Sequence, residues 1–234
     1  MLFAAGLGTR LKPFTDRHPK ALAEVNGKTL LEHNILYLQR YGIKELVINV
    51  HHFAEQIEEQ IEKNNGYGSI VHVSDERSEV LETGGGLVKA ARFFSNENFI
   101  VMNVDMLTNF NLANLIDTHV QNEAIATLAV MKRDSSRQLL FDNSMQLCGW
   151  KNINSGELKI SRVTEEKVEF AFSGIQIIHT DFFRFVQQEG KFSIIDSYLQ
   201  LAEDHSVKGF DHTGDMILDV GKPESLLKAA QLFP

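Results

Sequence analysis

Hydrophobic positions along the first 105 residues alternate repeatedly between strand and helix spacing. Leu2 to Ala5 is a continuous apolar run, the pattern of a short strand buried on both faces. Gly6 and Gly8 follow at once and predict a tight turn. Glu24 to Gly27 reads as a turn, and Thr29 as a helix N-cap. Leu31, Ile35 and Leu38 then lay one apolar stripe along a helix to about Tyr41, which Gly42 ends. Leu46 to Val50 predicts a second buried strand. Residues 53–63 predict a helix with Phe53, Ile57 and Ile61 on one face and glutamates on the other, broken at Asn64-Asn65-Gly66. Ser69 to Val73 is a third strand, and Ser74 to Leu81 a polar loop. Leu87, Ala91 and Phe94 have helical spacing, and Phe99 to Val104 is a strand ending at Asp105. This alternation predicts an α/β fold: a doubly wound, mainly parallel sheet whose ligands collect at the carboxyl ends of the strands.

The pattern beyond Asp105 is less regular. Strands are predicted at Ile125–Met131, Leu139–Phe141, Gln146–Trp150, Lys159–Ser161, Val168–His179, Lys208–Phe210 and Met216–Val220. Helices are predicted near 181–188 and 194–203, and a last one from Pro223. This half, 106–234, reads as a smaller α+β layer covering the first, 1–105. With no repeat or linker-like tract, 1–234 is expected to be one unit.

Charge narrows the functional classes. The net charge is −8, with 23 basic and 31 acidic residues. Nucleic-acid binding needs clustered Lys and Arg, so no nucleic-acid partner is expected. The one cysteine, Cys148, excludes an internal disulfide and a cysteine-based zinc site. The start lacks a basic leader and no apolar run is long enough for a membrane span, so a cytoplasmic protein is expected. An acidic protein suits a small anionic substrate held together with a divalent cation.

The opening turn carries the strongest chemistry. Free backbone N–H groups in a glycine turn form an anion-binding concavity, and Arg10 and Lys20 flank it. Leu11 stands where a Gly-x-Gly-x-x-Gly dinucleotide loop needs its third glycine, and the Gly-Lys-Ser/Thr of a Walker loop is absent. What stands from Ala4 to Lys20 is Gly-x-Gly-Thr-Arg-x-x-Pro-x-Thr, then Pro19-Lys20. This closely resembles the signature of the sugar-1-phosphate nucleotidyltransferases, and implies their Rossmann-like fold. It also implies that Ala5, Gly6, Leu7, Gly8 and Thr9 cradle a nucleoside triphosphate. Arg10 and Lys20 are then the candidate catalytic cations on its phosphates. Lys12 reads equally well as a phosphate contact or a solvated lysine.

Asp105, at a strand end, faces the ligand crevice, and Asp219 lies opposite the inward Leu218 and Val220. Mg²⁺ takes one or two carboxylates plus substrate phosphates. The family's metal aspartates occupy matching motifs, Asn103-Val104-Asp105 and Asp219-Val220-Gly221, although Val104 replaces a common glycine. The resemblance thus implies Mg²⁺ on Asp105 and Asp219.

Leu81-Glu82-Thr83-Gly84-Gly85-Gly86 reads as a second backbone-donor cluster at a helix start, with Thr83 as a possible cap. The resemblance places Glu82, Thr83, Gly84 and Gly85 over nucleobase and ribose. This form is similar to that of the N-acetylmuramate-1-phosphate uridylyltransferase branch, with the mannose-1-phosphate guanylyltransferase-like branch beside it. Asp75 and Glu76 read first as solvated acids, otherwise as acceptors for a base N–H. For the sugar phosphate, the resemblance points to Gly174, in Ala171-Phe-Ser-Gly-Ile175, and to Ser193 and Asp196, in Phe192-Ser-Ile-Ile-Asp196. Trp150 and Arg137 are further candidates, although Trp150 reads first as a core residue. His51 and His52 lack zinc-type partners.

The implied reaction joins a nucleoside triphosphate and a sugar 1-phosphate into a nucleotide sugar and pyrophosphate. Two other readings stay open. One is a cytidylyltransferase for an alcohol phosphate such as phosphocholine. The other is a non-catalytic nucleotide-sugar sensor, against which the joint presence of Arg10, Lys20, Asp105 and Asp219 argues. Compared with the family, a few residues before the first strand are expected to be missing, and no C-terminal β-helix is expected. Nucleobase, sugar and oligomeric state have no signal in the sequence.

Overall fold

The computed structural model describes residues 1–95 and 98–233. Strand β1 (Leu2–Phe3) leads into the glycine turn, and the hairpin β2 (Glu24–Val25) and β3 (Lys28–Thr29) brackets the predicted turn at Asn26-Gly27. Helix α1 (Leu30–Gln39) starts as expected, with the Thr29 side chain accepting from the Glu32 N–H at 3.1 Å. Then come β4 (Glu45–Val50), α2 (Ala54–Lys63), β5 (Ile70–Asp75), α3 (Glu82–Lys89), β6 (Asn98–Asn103) and β7 (Met106–Thr108). Helix α4 (Leu112–Asn122) precedes β8 (Ala126–Met131), β9 (Arg137–Phe141), β10 (Leu147–Asn152), β11 (Leu158–Ile160) and the long β12 (Val168–His179). The chain ends with α5 (Phe182–Phe185), α6 (Ile194–Leu201), β13 (Val207–Asp211), β14 (Ile217–Asp219) and α7 (Pro223–Leu232).

The main sheet runs β11-β10-β9-β12-β6-β1-β4-β5, with β8 on β12 and β13 on β8. Its β6-β1-β4-β5 portion is parallel, and β12 joins β6 antiparallel. The mixed, mainly parallel doubly wound expectation therefore holds for the first half. Strand order reverses between β1 and β6, and it is there that loops diverge and leave a crevice at the carboxyl edge. Register sets the depth of that crevice: Phe3 pairs with both Asn49 and Asn103.

Two large apolar clusters fill the space on either side of the sheet, one including Phe141, Phe182 and Tyr198, the other Leu2, Ile35 and Ile48. A third, smaller one collects Leu11, Val25, Leu30, Leu107, Val220 and Ala229. It matters for the site, because burying Leu11 and Val220 together brings Arg10 and Asp219, their chain neighbours, side by side. Among the described residues no helix is long and apolar enough to cross a membrane.

Some expectations change. No element was expected around α4, although Asn111 caps it and Leu112, Leu115 and His119 form its buried face. Phe53 is not in α2 but caps it in the left-handed region, at φ 55°. The helix expected near 181–188 is only Phe182–Phe185, because Val186 already turns extended.

His119 of α4 is buried between Thr127 and Asn98, with Nδ1 2.8 Å from Thr127 Oγ1 and Nε2 2.8 Å from Asn98 Oδ1. Burial, reinforced by His179, lowers its pKa from 6.5 to about 4. The unfolded chain therefore takes up this proton first as pH falls. Its contribution is complete above pH 6.5 and is lost between 6.5 and about 4, by up to ~3 kcal/mol. Urea unfolding at pH 7.5 and pH 4.5 should show this loss in the wild type, and His119→Gln should reduce the difference between the two pH values.

Candidate active site

The turn after β1 is held from both sides. The Ala4 N–H donates to Asn49 Oδ1 at 2.7 Å, which fixes where the strand ends. Gly8 sits in the left-handed region at φ 60°, and a Cβ there would lie 2.8 Å from the Thr15 methyl and 3.0 Å from Lys20 Cβ. Only glycine suits that position. The Gly8 carbonyl accepts from the Leu11 N–H at 2.8 Å and the Thr15 hydroxyl at 2.9 Å. The loop thereby folds back and brings Lys20 under the turn.

Lys20 is 9% exposed. Its ammonium donates to Asp105 Oδ2 and stands 3.9 Å from Asp219 Oδ1. Arg10 Nη2 approaches Asp219 Oδ2 at 3.4 Å on the solvent side. The two aspartates are tied through the backbone as well: β14 pairs with β7, Asp219 opposite Met106, and the Val220 N–H donates to the Asp105 carbonyl at 2.8 Å. Asp219 Oδ1 is buried and accepts no hydrogen bond. Gly221 leaves room for this corner, since a Cβ there would be 2.6 Å from that same oxygen. Four charged residues from three remote segments thus converge.

Three of them, Arg10, Lys20 and Asp105, border a cavity of 390 Å³. Ala5, Gly6, Gly8, Thr9, Arg10, Lys20, Glu82, Thr83 and Asp105 line it, together with Asn49, Glu76, Val80, Asn103 and Gly221. Leu7 points outward, 48% exposed. Lys12 pairs with Asp16 at 3.0 Å on the surface, so its reading as a solvated lysine prevails.

The triple-glycine segment needs correction. Gly84 and Gly85 do not line the cavity as free donors, because both amides point to the Phe192 carbonyl, at 2.9 and 3.4 Å. Thr83 does not cap α3, since its hydroxyl accepts from the Ile194 N–H at 3.0 Å. A side chain at Gly84 would strike the Phe192 ring, and one at Gly85 the Gly190 carbonyl. These glycines make a seat for the 190–194 segment.

The sugar-side residues are dispersed. Gly174, at φ 71°, backs onto Asn103 beside Asp105. Ser193 caps α6, its Oγ accepting from the Ile195 N–H at 3.3 Å. Asp196 pairs with Lys159 at 2.8 Å, and that ammonium lies 5.5 Å from the Trp150 ring centroid. Trp150 also packs against the first core cluster. Ser193, Asp196 and Trp150 are absent from the cavity's lining, as is the exposed Arg137.

Of the further lining residues, Asn49 escaped the sequence reading, Asn103 and Gly221 entered it only as members of the aspartate motifs, and Glu76 entered it first as a solvated acid. Asn49 left a signal, a lone amide inside the apolar run 46–50, and it is 2% exposed. Glu76 reverses an expectation: it is 0% exposed, and burial pushes its carboxyl above the usual range. Asp75, by contrast, is a surface acid that Arg77 holds low.

A carboxylate–cation cluster over the switch point of a doubly wound sheet, beside a glycine turn, can receive an anionic ligand. The chain belongs to the nucleotidyl transferase family, whose model matches residues 1–233. It is 28% identical over 233 residues to an N-acetylmuramate alpha-1-phosphate uridylyltransferase of Caulobacter vibrioides, covering 98% of this chain and 94% of that one. It is 31% identical over 232 residues to a D-glycero-alpha-D-manno-heptose 1-phosphate guanylyltransferase of Campylobacter jejuni, covering 96% and 95%. In fold it is similar to the crystal structure of HddC from Yersinia pseudotuberculosis, with a TM-score of 0.80 at 24% identity, covering 100% and 98%.

Gly85→Ala must displace the Gly190 carbonyl, whereas Gly6 has nothing within 4 Å of a Cβ position. Urea unfolding should show Gly85→Ala losing about 1–3 kcal/mol and Gly6→Ala less than about 0.5 kcal/mol. Equal losses would contradict the seat.

Proposed function

We propose that the chain joins a nucleoside triphosphate and a sugar 1-phosphate into a nucleoside-diphosphate sugar, releasing pyrophosphate. The observation that carries this reading is the convergence of Arg10, Lys20 and Asp105 on one cavity beside the Gly6–Thr9 turn, with Asp219 joined to them through Arg10 and Lys20. The names of both curated relatives above support it, one a uridylyltransferase and the other a guanylyltransferase of a sugar 1-phosphate.

In this reading the turn amides and Thr9 hold the triphosphate, and Glu82 and Thr83 border its nucleoside. Lys20, fixed by Asp105 and desolvated, presents its charge to the phosphates, and the more exposed Arg10 reaches them from the solvent side. Asp105 and Asp219 would hold Mg²⁺. Their hard oxygens suit it, and the buried Asp219 Oδ1 lacks any other partner. Bound there, Mg²⁺ would neutralise charge developing on the transferring phosphate.

A phosphate oxygen of the sugar 1-phosphate attacks the α-phosphorus. A new P–O bond forms, the bond to the bridging α–β oxygen breaks, and pyrophosphate departs with its electron pair. The attacking phosphate is largely a dianion near neutral pH, so no general base is needed. Catalysis rests on positioning and on charge stabilisation by Arg10 and Lys20. Gly174, beside Asn103, marks the sugar side. Ser193, Asp196 and Trp150, off the cavity's lining, are proposed as contacts to the far side of the sugar.

The test is a matrix of UTP, GTP, dTTP, CTP and ATP against several sugar 1-phosphates, scored by pyrophosphate release. At least one pair should turn over with Mg²⁺, and no turnover with any pair would remove the proposal. Asp105→Asn and Asp219→Asn should each lose about a hundredfold or more in kcat/KM. Full activity in both variants would show that neither aspartate serves the metal.

A further inference from the structure

Two buried polar side chains in the cavity's inner wall connect its two loops. Asn49, in β4, lies between Phe3 of β1 and Ser74 of β5 in the sheet register. Its Oδ1 accepts the Ala4 N–H at 2.7 Å, at the root of the phosphate turn. Its Nδ2 donates to Glu76 Oε1 at 2.7 Å. The other Glu76 oxygen accepts from the Leu81 N–H at 3.4 Å, the residue that opens the Glu82–Thr83 wall. Glu76 itself is clamped at both backbone ends, its N–H to the Val50 carbonyl at 2.8 Å and its carbonyl against His51 Nδ1 at 2.7 Å.

Gly86 completes the arrangement. A Cβ there would sit 2.6 Å from Glu76 Oε1 and 3.1 Å from Asn49 Nδ2. The third glycine of the triple thus admits this pair, just as the first two admit Phe192 and Gly190. Burying a carboxylate and an amide is costly unless both are hydrogen-bonded. The sheet alone needs neither group, since β1 and β4 already pair through their backbones.

We infer that Asn49 and Glu76 form a positioning relay that fixes residues 81–83 relative to the phosphate turn, and so sets how much a nucleoside adds to the binding of its triphosphate. The inference rests on the nucleotide reading of the cavity. Neither residue takes part in the chemistry: Glu76 is fully enclosed, and both act through the loops they tie together.

The polarity of the relay supplies its test. Asn49→Asp sets two carboxylates face to face. Adding Glu76→Gln restores the relay with the donor reversed. The carboxylate now at position 49 accepts from Ala4 and from the new amide at position 76, whose oxygen still accepts from Leu81. Binding is measured by calorimetry with Mg²⁺, using the tightest of UTP, GTP, dTTP, CTP and ATP, and separately inorganic tripolyphosphate, which needs only the phosphate turn. Asn49→Asp should weaken the nucleotide about tenfold, tripolyphosphate less than about twofold, and the double variant should recover to within about threefold of wild type.

A double variant no tighter than Asn49→Asp, or an equal loss for tripolyphosphate, overturns the relay. If circular dichroism shows Asn49→Asp unfolded, the double variant decides alone: near-wild-type nucleotide binding supports the relay, and weak binding overturns it. Wild-type binding without turnover removes the proposed reaction and leaves the relay to be judged on these affinities. No nucleoside triphosphate binding to the wild type overturns both.

Discussion

An ammonium taken out of water must find anions, and Lys20 finds Asp105 and, at 3.9 Å, Asp219. This one requirement joins three stretches remote in sequence: the loop after β1, the end of β6 and the end of β14. The backbone repeats the connection, through β14 on β7 and the Val220–Asp105 hydrogen bond. The result is a corner of two carboxylates and two cations at the edge of a cavity beside a glycine turn. Arg10, on the exposed side, adds little stability to it, because its pair with Asp219 is screened by water. Its charge is free for a ligand phosphate.

Close backbone approach is the second constraint. The three glycines 84–86 stand under Phe192, under Gly190 and over Glu76 respectively. The start of α3 is thereby packed between the second half of the chain and the relay in the cavity's inner wall. A loop that looked like a set of free donors is a junction. The wall formed by Glu82 and Thr83 inherits its position from contacts on both sides.

The first half of the fold was legible because it is written locally. Short apolar runs separated by helical stripes give a parallel sheet, and glycine after an apolar run gives the turn. The charged cluster was legible for the same reason, since each member lies in a compact motif with its own signal. What stayed hidden depends on partners far along the chain. Glu76 sits in a polar stretch and reads as solvated, until Asn49 and Gly86 enclose it. Thr83 reads as a cap, but the Ile194 N–H arrives from 111 residues away. Helix α4 does carry a local signal, Asn111 followed by Leu112, Leu115 and Ile116. The sugar side is least legible: Asp196 and Trp150 meet only through Lys159, whose spacing from either carries no motif.

The central claim is that Lys20 and Asp105 act as one unit. A double-mutant cycle measures that directly, with Lys20→Met, Asp105→Asn and the double variant compared by urea unfolding at low ionic strength. Each single change leaves a charge without its partner in a largely buried corner, so both should destabilise the fold. The double variant should be less destabilised than the sum, with a coupling of at least about 1 kcal/mol. Additivity to within about 0.3–0.5 kcal/mol would mean the pair is incidental, and the account of how the site is held together would be wrong.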